Sequence, residues 1–295
     1  IIDKVADYIN DYVIRDILTR KNINFDDDDK KYNYQFKKEL VMSKILFGTQ
    51  KKHYAMHLAI KEGKRLDKIV IKGMLAIKSD TPRYSRNLLN NLTEYILKDY
   101  DANDISRSNQ EMLHRYHTAI NDINPLIDRG DVAVARPVSL TQDIQHYSTI
   151  QAHIRGMLLY DIIYNHEFQF MDKAYQFYVT SIDFTKLNIT EQEILNRFKQ
   201  KYGRMKWYDS MMRTYKKDVF FSSICVPTDK EFLDTSIFTV DRDKTQKTVI
   251  KEKVEDLMKL VGINILDESD RAKVKRNAVR KFSFDNFNNG SMFSV

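Results

Sequence analysis

Residues 48–64 read GTQKKHYAMHLAIKEGK, a stretch whose second half alternates and whose first half does not. Met56, Leu58 and Ile60 recur at period two, as a strand with one buried face requires. Extending that period backwards places Lys52 and Tyr54 on the apolar face and Lys51 and His53 on the other. A sheet interior has no use for two lysines, a histidine and a tyrosine at its opening. The polar end therefore projects past the core, either as a solvated strand end or as side chains aimed at an anionic, flat-faced partner.

Around this stretch, residues 36–60 read as extended, KEGKRL turns the chain at Gly63, and DKIVIKGMLAIK returns as a second strand, making a hairpin. The period then changes. In SDTPRYSRNLLNNLTEYILKDY, Thr81 is placed to cap, Pro82 suits a first helical position, and Tyr84, Leu88, Leu92 and Tyr95 form one stripe. Further helices are expected over SRSNQEMLHRYHTAINDI, over IQAHIRGMLLYDIIYN with Ile154, Met157, Leu158 and Ile162, and from a capping box at Thr190 to Glu193. VAVARPVSL and EFQFMDKAYQFYVT read as extended, and KTVIKEKVEDLMKLVGI closes the folded part. Upstream, Val5, Ile9, Tyr12, Val13 and Leu18 predict one helix over residues 1–20. The aspartates Asp26 to Asp29, flanked by lysines, read as a solvated loop rather than metal ligands.

A chain of 295 residues forms one large domain or two smaller ones, and its 42% hydrophobic content supplies a core. It has no apolar run long enough to span a bilayer and no secretory signal, so a soluble protein is expected. The single Cys225 excludes an internal disulfide and a multi-cysteine metal site, suits a reducing compartment, and reads as a small buried hydrophobe. Lys and Arg outnumber Asp and Glu by 48 to 41, a net charge of +7 compatible with a polyanionic partner. Ile1 is not an initiator residue, so the numbering is expected to begin inside a longer reading frame or after a processed piece.

KKHYAMHLAIKEGKRLDKIVIKGMLAIKSDTP resembles a passage of family B DNA polymerases: a Lys-Lys-x-Tyr strand, a turn, an Ile-Lys-Gly strand and a basic-Asp-x-Pro junction, in that order. VAVARPVSLTQDIQHYSTIQAHIRGMLLYDIIYN is similar to that family's thumb stretch ending in His-x-Arg, here His153 and Arg155. VFFSSICVPTDKEFLDT with TVIKEKVEDLMKLVGI is similar to the end of the thumb in replicative polymerases of large tailed phages, and KFSFDNF is similar to their C-terminal clamp-binding peptide. The matches cover roughly residues 44–97 and 132–160, more loosely 219–262 and 281–287; residues 163–218 have no counterpart.

The resemblance implies an α+β fold, with a β-hairpin edge of a polymerase palm over residues 1–81, a mainly α-helical thumb over 82–280, and a tail over 281–295. It implies contacts to primer–template DNA from Lys51, Lys52, Tyr54, Arg136, His153 and Arg155, and clamp contacts from Phe284 and Phe287. Phosphate contacts of this kind position a duplex without reading its sequence. The metal-binding YxDTDS and SLYPS-type motifs do not occur in the sequence, and Asp241 and Asp243 of VDRDK read as a charged loop. Catalysis with Mg2+ is therefore expected to need carboxylates from a catalytic palm and exonuclease portion, either as a missing N-terminal part or as the other subunit of a split polymerase. The expected location is the cytoplasm, that of the host if the chain is phage-encoded. The alternative is a stand-alone, non-catalytic duplex-binding protein derived from a thumb. KQKYGRMKWYDSMMRTYKK interleaves cations with Tyr202, Trp207, Tyr208 and Tyr215. That pattern suits either a nucleic-acid grip or an exposed helix with its aromatics in the core, and we favour the second.

Overall fold

The computed structural model describes residues 4–5, 8–21, 39–215 and 220–265. The aspartates 26–29 and the tail with Phe284 and Phe287 lie outside the described residues. The fold is α+β, with two antiparallel sheets and helices between and around them.

At the N-terminal end, a π-helical stretch Ile9–Ile14 continues into α1 (Arg15–Arg20), with Val5, Tyr12 and Val13 exposed. The first sheet is a meander of β1 (Leu40–Phe47), β2 (Tyr54–Lys61) and β3 (Lys64–Lys72), with β2 central. The turn at Gly63 is present as expected: Lys61 pairs with Lys64, and Glu62 and Gly63 both take positive φ, 49° and 78°. Two left-handed residues match the right-handed twist of the strands they join. Residues 36–60 are not one extended run, however. The chain reverses between Phe47 and Tyr54, so the expected hairpin is a three-stranded sheet. The second expected strand also ends early, at Lys72, because Gly73 (φ +68°) turns it into a 3-10 turn over Leu75–Ile77.

Helix α2 (Arg83–Lys98) lies against this sheet and buries Leu89, Leu92, Ile96 and Leu97. Thr81 does not cap it. Its hydroxyl is buried and makes no hydrogen bond, and Pro82 occupies the N-cap position. Helix α3 (Ile105–Asp122) is capped by Asp104, whose carboxylate accepts from the Arg107 backbone N–H. The short α4 (Asn124–Asp128) follows directly.

The second sheet assembles the segments that read as isolated extended pieces. β4 (Arg136–Ser139) and β6 (Ser223–Pro227) flank β5 (Lys173–Ile182), and β7 (Phe238–Val240) pairs with the far end of β5. Helix α5 (Ala152–Tyr164) packs on β6 and is buried continuously from Ile154 to Ile162. Gly156 permits that approach: a Cβ there would lie 3.0 Å from Cys225 Sγ and 3.1 Å from the Cys225 backbone nitrogen. Cys225 is fully buried, as expected, and its environment pushes the thiol pKa up.

Helix α6 (Glu191–Tyr202) opens with the expected capping box, Thr190 and Glu193 bonding each other's backbone N–H groups. Helix α7 (Tyr208–Tyr215) follows. In the described part of the aromatic–basic segment, Trp207 and Tyr202 are in the core, Trp207 Nε1 donates to the Ile144 carbonyl, and Lys199, Arg204 and Lys206 face water. Asp241 is the N-cap of α8 (Arg242–Gln246), its carboxylate accepting from the Lys244 N–H. A π-helical stretch Lys247–Lys251 leads into α9 (Glu252–Leu260), which returns to pack on α2. No described helix is long and apolar enough to cross a membrane.

Candidate nucleic-acid interface

The β1–β2 connection is built around its polar residues. Gly48 N–H donates to the His53 carbonyl at 2.7 Å, and His53 N–H donates to the Gln50 carbonyl at 3.1 Å. Lys52 closes the reversal with φ at +65°. A left-handed residue cannot belong to a strand, so the period of β2 stops at Tyr54 and does not carry Lys52 onto the Tyr54 face. Lys52 and Tyr54 therefore do not share a strand face, contrary to the period expected from the sequence. Lys51 and Lys52 are instead presented by a turn, exposed, and make no ion pair or hydrogen bond with the described residues.

His53 is locked beneath them rather than presented. A Cβ at Gly73 would lie 2.5 Å from His53 Cδ2 and 2.9 Å from the Lys52 carbonyl, and one at Gly48 would lie 2.9 Å from His53 Cβ. Two glycines from flanking strands thus let the turn sit directly on the sheet edge. Tyr54, half-buried, pairs in register with Phe47 on one side and Lys72 on the other.

A pocket under this turn is lined by His53, Leu75, Thr93, Lys253 and Leu257, among others. Lys253 of α9 also lines the neighbouring pocket, which holds Arg136 and Gln176. Arg136 in turn lines a third, open groove with Ser79, Asp80, Ser139, His153 and Lys173. The shared residues connect these spaces into one polar track: the 48–54 turn, Lys253, Arg136, then Lys173. Exposed acids, Asp256, Glu252 and Asp80, stand along it, so the track is mixed in charge with cations in excess. Arg136 and Lys253 make no ion pair with the described residues, which leaves their charges available.

Two expected contacts change character. Arg155 is 5% exposed, its Nε donates to the Phe220 carbonyl at 2.9 Å, and burial lowers its pKa. A side chain within a continuously buried helical stretch has no access to a duplex, so Arg155 is a core residue and not a duplex contact. Nor does it pair with Asp161, which accepts from Lys201 and Tyr202. His153 does reach the groove, but burial and then the Arg136 charge lower its pKa, which favours the neutral ring. It can hydrogen-bond a phosphate or sugar there.

Lys253 and Lys173 were not singled out by sequence. Lys253 is one of several lysines in KTVIKEKVEDLMKLVGI, and only the return of α9 onto α2 sets it apart from Lys247, Lys251 and Lys259. Lys173 joins Arg136 because β4 and β5 pair with Ser139 opposite Lys173.

Elsewhere on the first sheet, Ser43 Oγ lies 2.7 Å from His57 Nδ1, and His57 Nε2 lies 2.6 Å from Asp67 Oδ1. Lys98 approaches the same carboxylate at 3.5 Å. The hydrogen bond from His57, followed by the Lys98 charge, holds the Asp67 carboxyl below its ordinary pKa. This row ties β1, β2 and β3 together and pins α2 to them. Among the described residues no group of three or more His, Cys, Asp or Glu side chains is placed to hold a metal ion.

No protein-family model matches the sequence, and no curated protein matches it. Among solved structures, the chain is similar to the family B DNA polymerase of the hyperthermophilic archaeon Pyrobaculum calidifontis, with 14% identity and a TM-score of 0.49. The similarity covers 90% of this chain and 25% of that one, so the chain spans a quarter of that polymerase's length.

Proposed function

We propose that the chain is the palm edge and thumb of a family B DNA polymerase, residues 1–81 and 82–280, gripping primer–template duplex while catalytic carboxylates come from another portion or subunit. The observation that carries this reading is the shared lining of the pockets. Lys253 and Arg136 join the Lys51–Tyr54 turn to the β4–β5 groove, and the turn and Arg136 come from the two sequence blocks that resemble parts of that family. Exposed, unpaired cations on a turn and a strand suit phosphate contacts, which hold a duplex of any sequence and let it slide. The tail at 281–295, with Phe284 and Phe287, is proposed as a clamp-binding peptide on sequence grounds alone.

The test is a fluorescence-anisotropy titration of the chain with two primer–template duplexes of unrelated sequence, followed by an extension assay with Mg2+ and dNTPs. The proposal requires similar affinities for both duplexes and no incorporation. A strong preference for one sequence, or robust extension by the purified chain, overturns it.

A further inference from the structure

Between β4–β5 and α9 lies a cavity of about 670 Å³, counting its space open to solvent, whose wall includes Gln176, Arg136, Lys253, Tyr178, Thr248 and Glu252. Gln176 is the unusual member. It is 2% exposed, its Nε2 donates to Ser223 Oγ at 2.9 Å, and its Oε1 is buried with no hydrogen bond. A buried amide oxygen without a donor is costly, and in a native structure such a group calls for a function or a missing partner. It belongs to a wall where two cations that make no ion pair among the described residues face a single carboxylate, Glu252, and where the Tyr178 ring, with Lys244 Nζ 4.2 Å from its centroid, supplies an aromatic surface.

We infer that this cavity takes one unpaired nucleotide of a DNA strand. Arg136 and Lys253 would hold its phosphodiester, Tyr178 would pack against the base, and a base N–H would donate to Gln176 Oε1. The wall's Arg136 and Lys253, with Lys244 beside Tyr178 and only Glu252 opposing them, suit a phosphodiester. A carboxamide is also a natural partner for a base edge. An unpaired nucleotide enters without the cost of breaking a base pair, so the site would favour frayed or overhanging ends over intact duplex. This inference rests on the duplex-grip reading, because it gives the duplex track a pocket for a base that has left the stack.

The experiment compares three ligands in anisotropy titrations: a blunt duplex, the same duplex with one unpaired 3′ nucleotide, and that overhang made abasic. One stacked and hydrogen-bonded base is expected to tighten binding by about tenfold over the blunt and abasic ligands. Gln176→Met keeps the side-chain volume and is expected to abolish that gain while leaving blunt-duplex affinity unchanged. If Gln176→Met melts early, Tyr178→Leu, which removes the ring proposed to pack on the base, serves as the second pocket variant. Equal binding of all three ligands, or a full gain with the abasic overhang, overturns the inference while leaving the grip intact. If no duplex binds, the grip reading fails, and the pocket is judged by dAMP against inorganic phosphate. Tighter dAMP binding that is lost in the pocket variant supports it, and equal binding overturns it.

Discussion

Replacing Asp161 with leucine tests whether the aromatic–basic segment holds the core or holds nucleic acid. Asp161 is 3% exposed on α5 and accepts from Lys201 Nζ at 2.7 Å and from the Tyr202 hydroxyl, both on α6. Burial first, and then the bond to Asp161, push the Tyr202 hydroxyl pKa up, so it stays a donor. Without the carboxylate, that hydroxyl is buried with no acceptor, which costs about 1–3 kcal/mol. Lys201 is 36% exposed, so its lost ion pair is screened and adds no more than about 1 kcal/mol. The expected loss is therefore about 1–4 kcal/mol, or roughly 2–7 °C in Tm for a chain of this size. Tyr202→Phe alone should cost about 1.5–3 kcal/mol, the value of a hydrogen bond to a charged group. Because the two groups share one bond, the double variant should fall short of the sum by about 1 kcal/mol or more. Urea unfolding followed by circular dichroism measures all three, and duplex affinity should not change in any. Strict additivity, or a Tyr202→Phe variant of normal stability with weakened duplex binding, refutes the reasoning.

Other expectations follow from single contacts. Arg155→Met should lower stability by about 1.5–3 kcal/mol through the lost bond to the Phe220 carbonyl, yet leave duplex affinity unchanged; a selective affinity loss would restore Arg155 to the interface. Gly73→Ala should cost more than the roughly 1–2 kcal/mol of a left-handed non-glycine residue, because its Cβ also meets His53, and duplex binding should weaken with Lys51 and Lys52 intact; thermal melting and anisotropy check both. Asp67 has a folded pKa below its ordinary 3.8, so its contribution to stability is present above that value and disappears as pH falls through the folded pKa. Asp67→Asn should accordingly be less stable than the parent at neutral pH and converge with it in strong acid, which unfolding curves across pH 2–7 would contradict if the two ran parallel.

Much of the secondary structure was legible because period and caps are local. The Gly63 turn, the capping box at Thr190 and the buried Trp207 all follow from residues within one or two turns of each other. The reversal at 48–53 was not, since a left-handed Lys52 carries no sequence signal and the alternation on either side of it reads straight through. The second sheet was legible only as fragments: β5 takes partners from residues 136–139, 223–227 and 238–240, and nothing local says which segments meet. The candidate site divides the same way. Lys51, Lys52, Tyr54 and Arg136 stood out by sequence, whereas Lys253 and Lys173 join them through tertiary packing. Arg155 misled because a cation at the start of an apolar helix reads equally well as a contact or as a buried donor to a carbonyl 65 residues away.

The central claim, that the turn and the β4–β5 groove form one duplex-gripping track, is tested most directly by the salt dependence of duplex affinity. The parent chain is to be compared with Lys51→Ala, Lys52→Ala, Arg136→Ala and Lys253→Ala, singly and combined, by anisotropy across a range of NaCl concentrations. Each phosphate contact removed should reduce the slope of log K against log salt by about 0.9, with all four variants acting in the same direction and folding unaltered. Unchanged slopes in the folded variants, or an effect confined to the turn lysines with Arg136 and Lys253 silent, would contradict it.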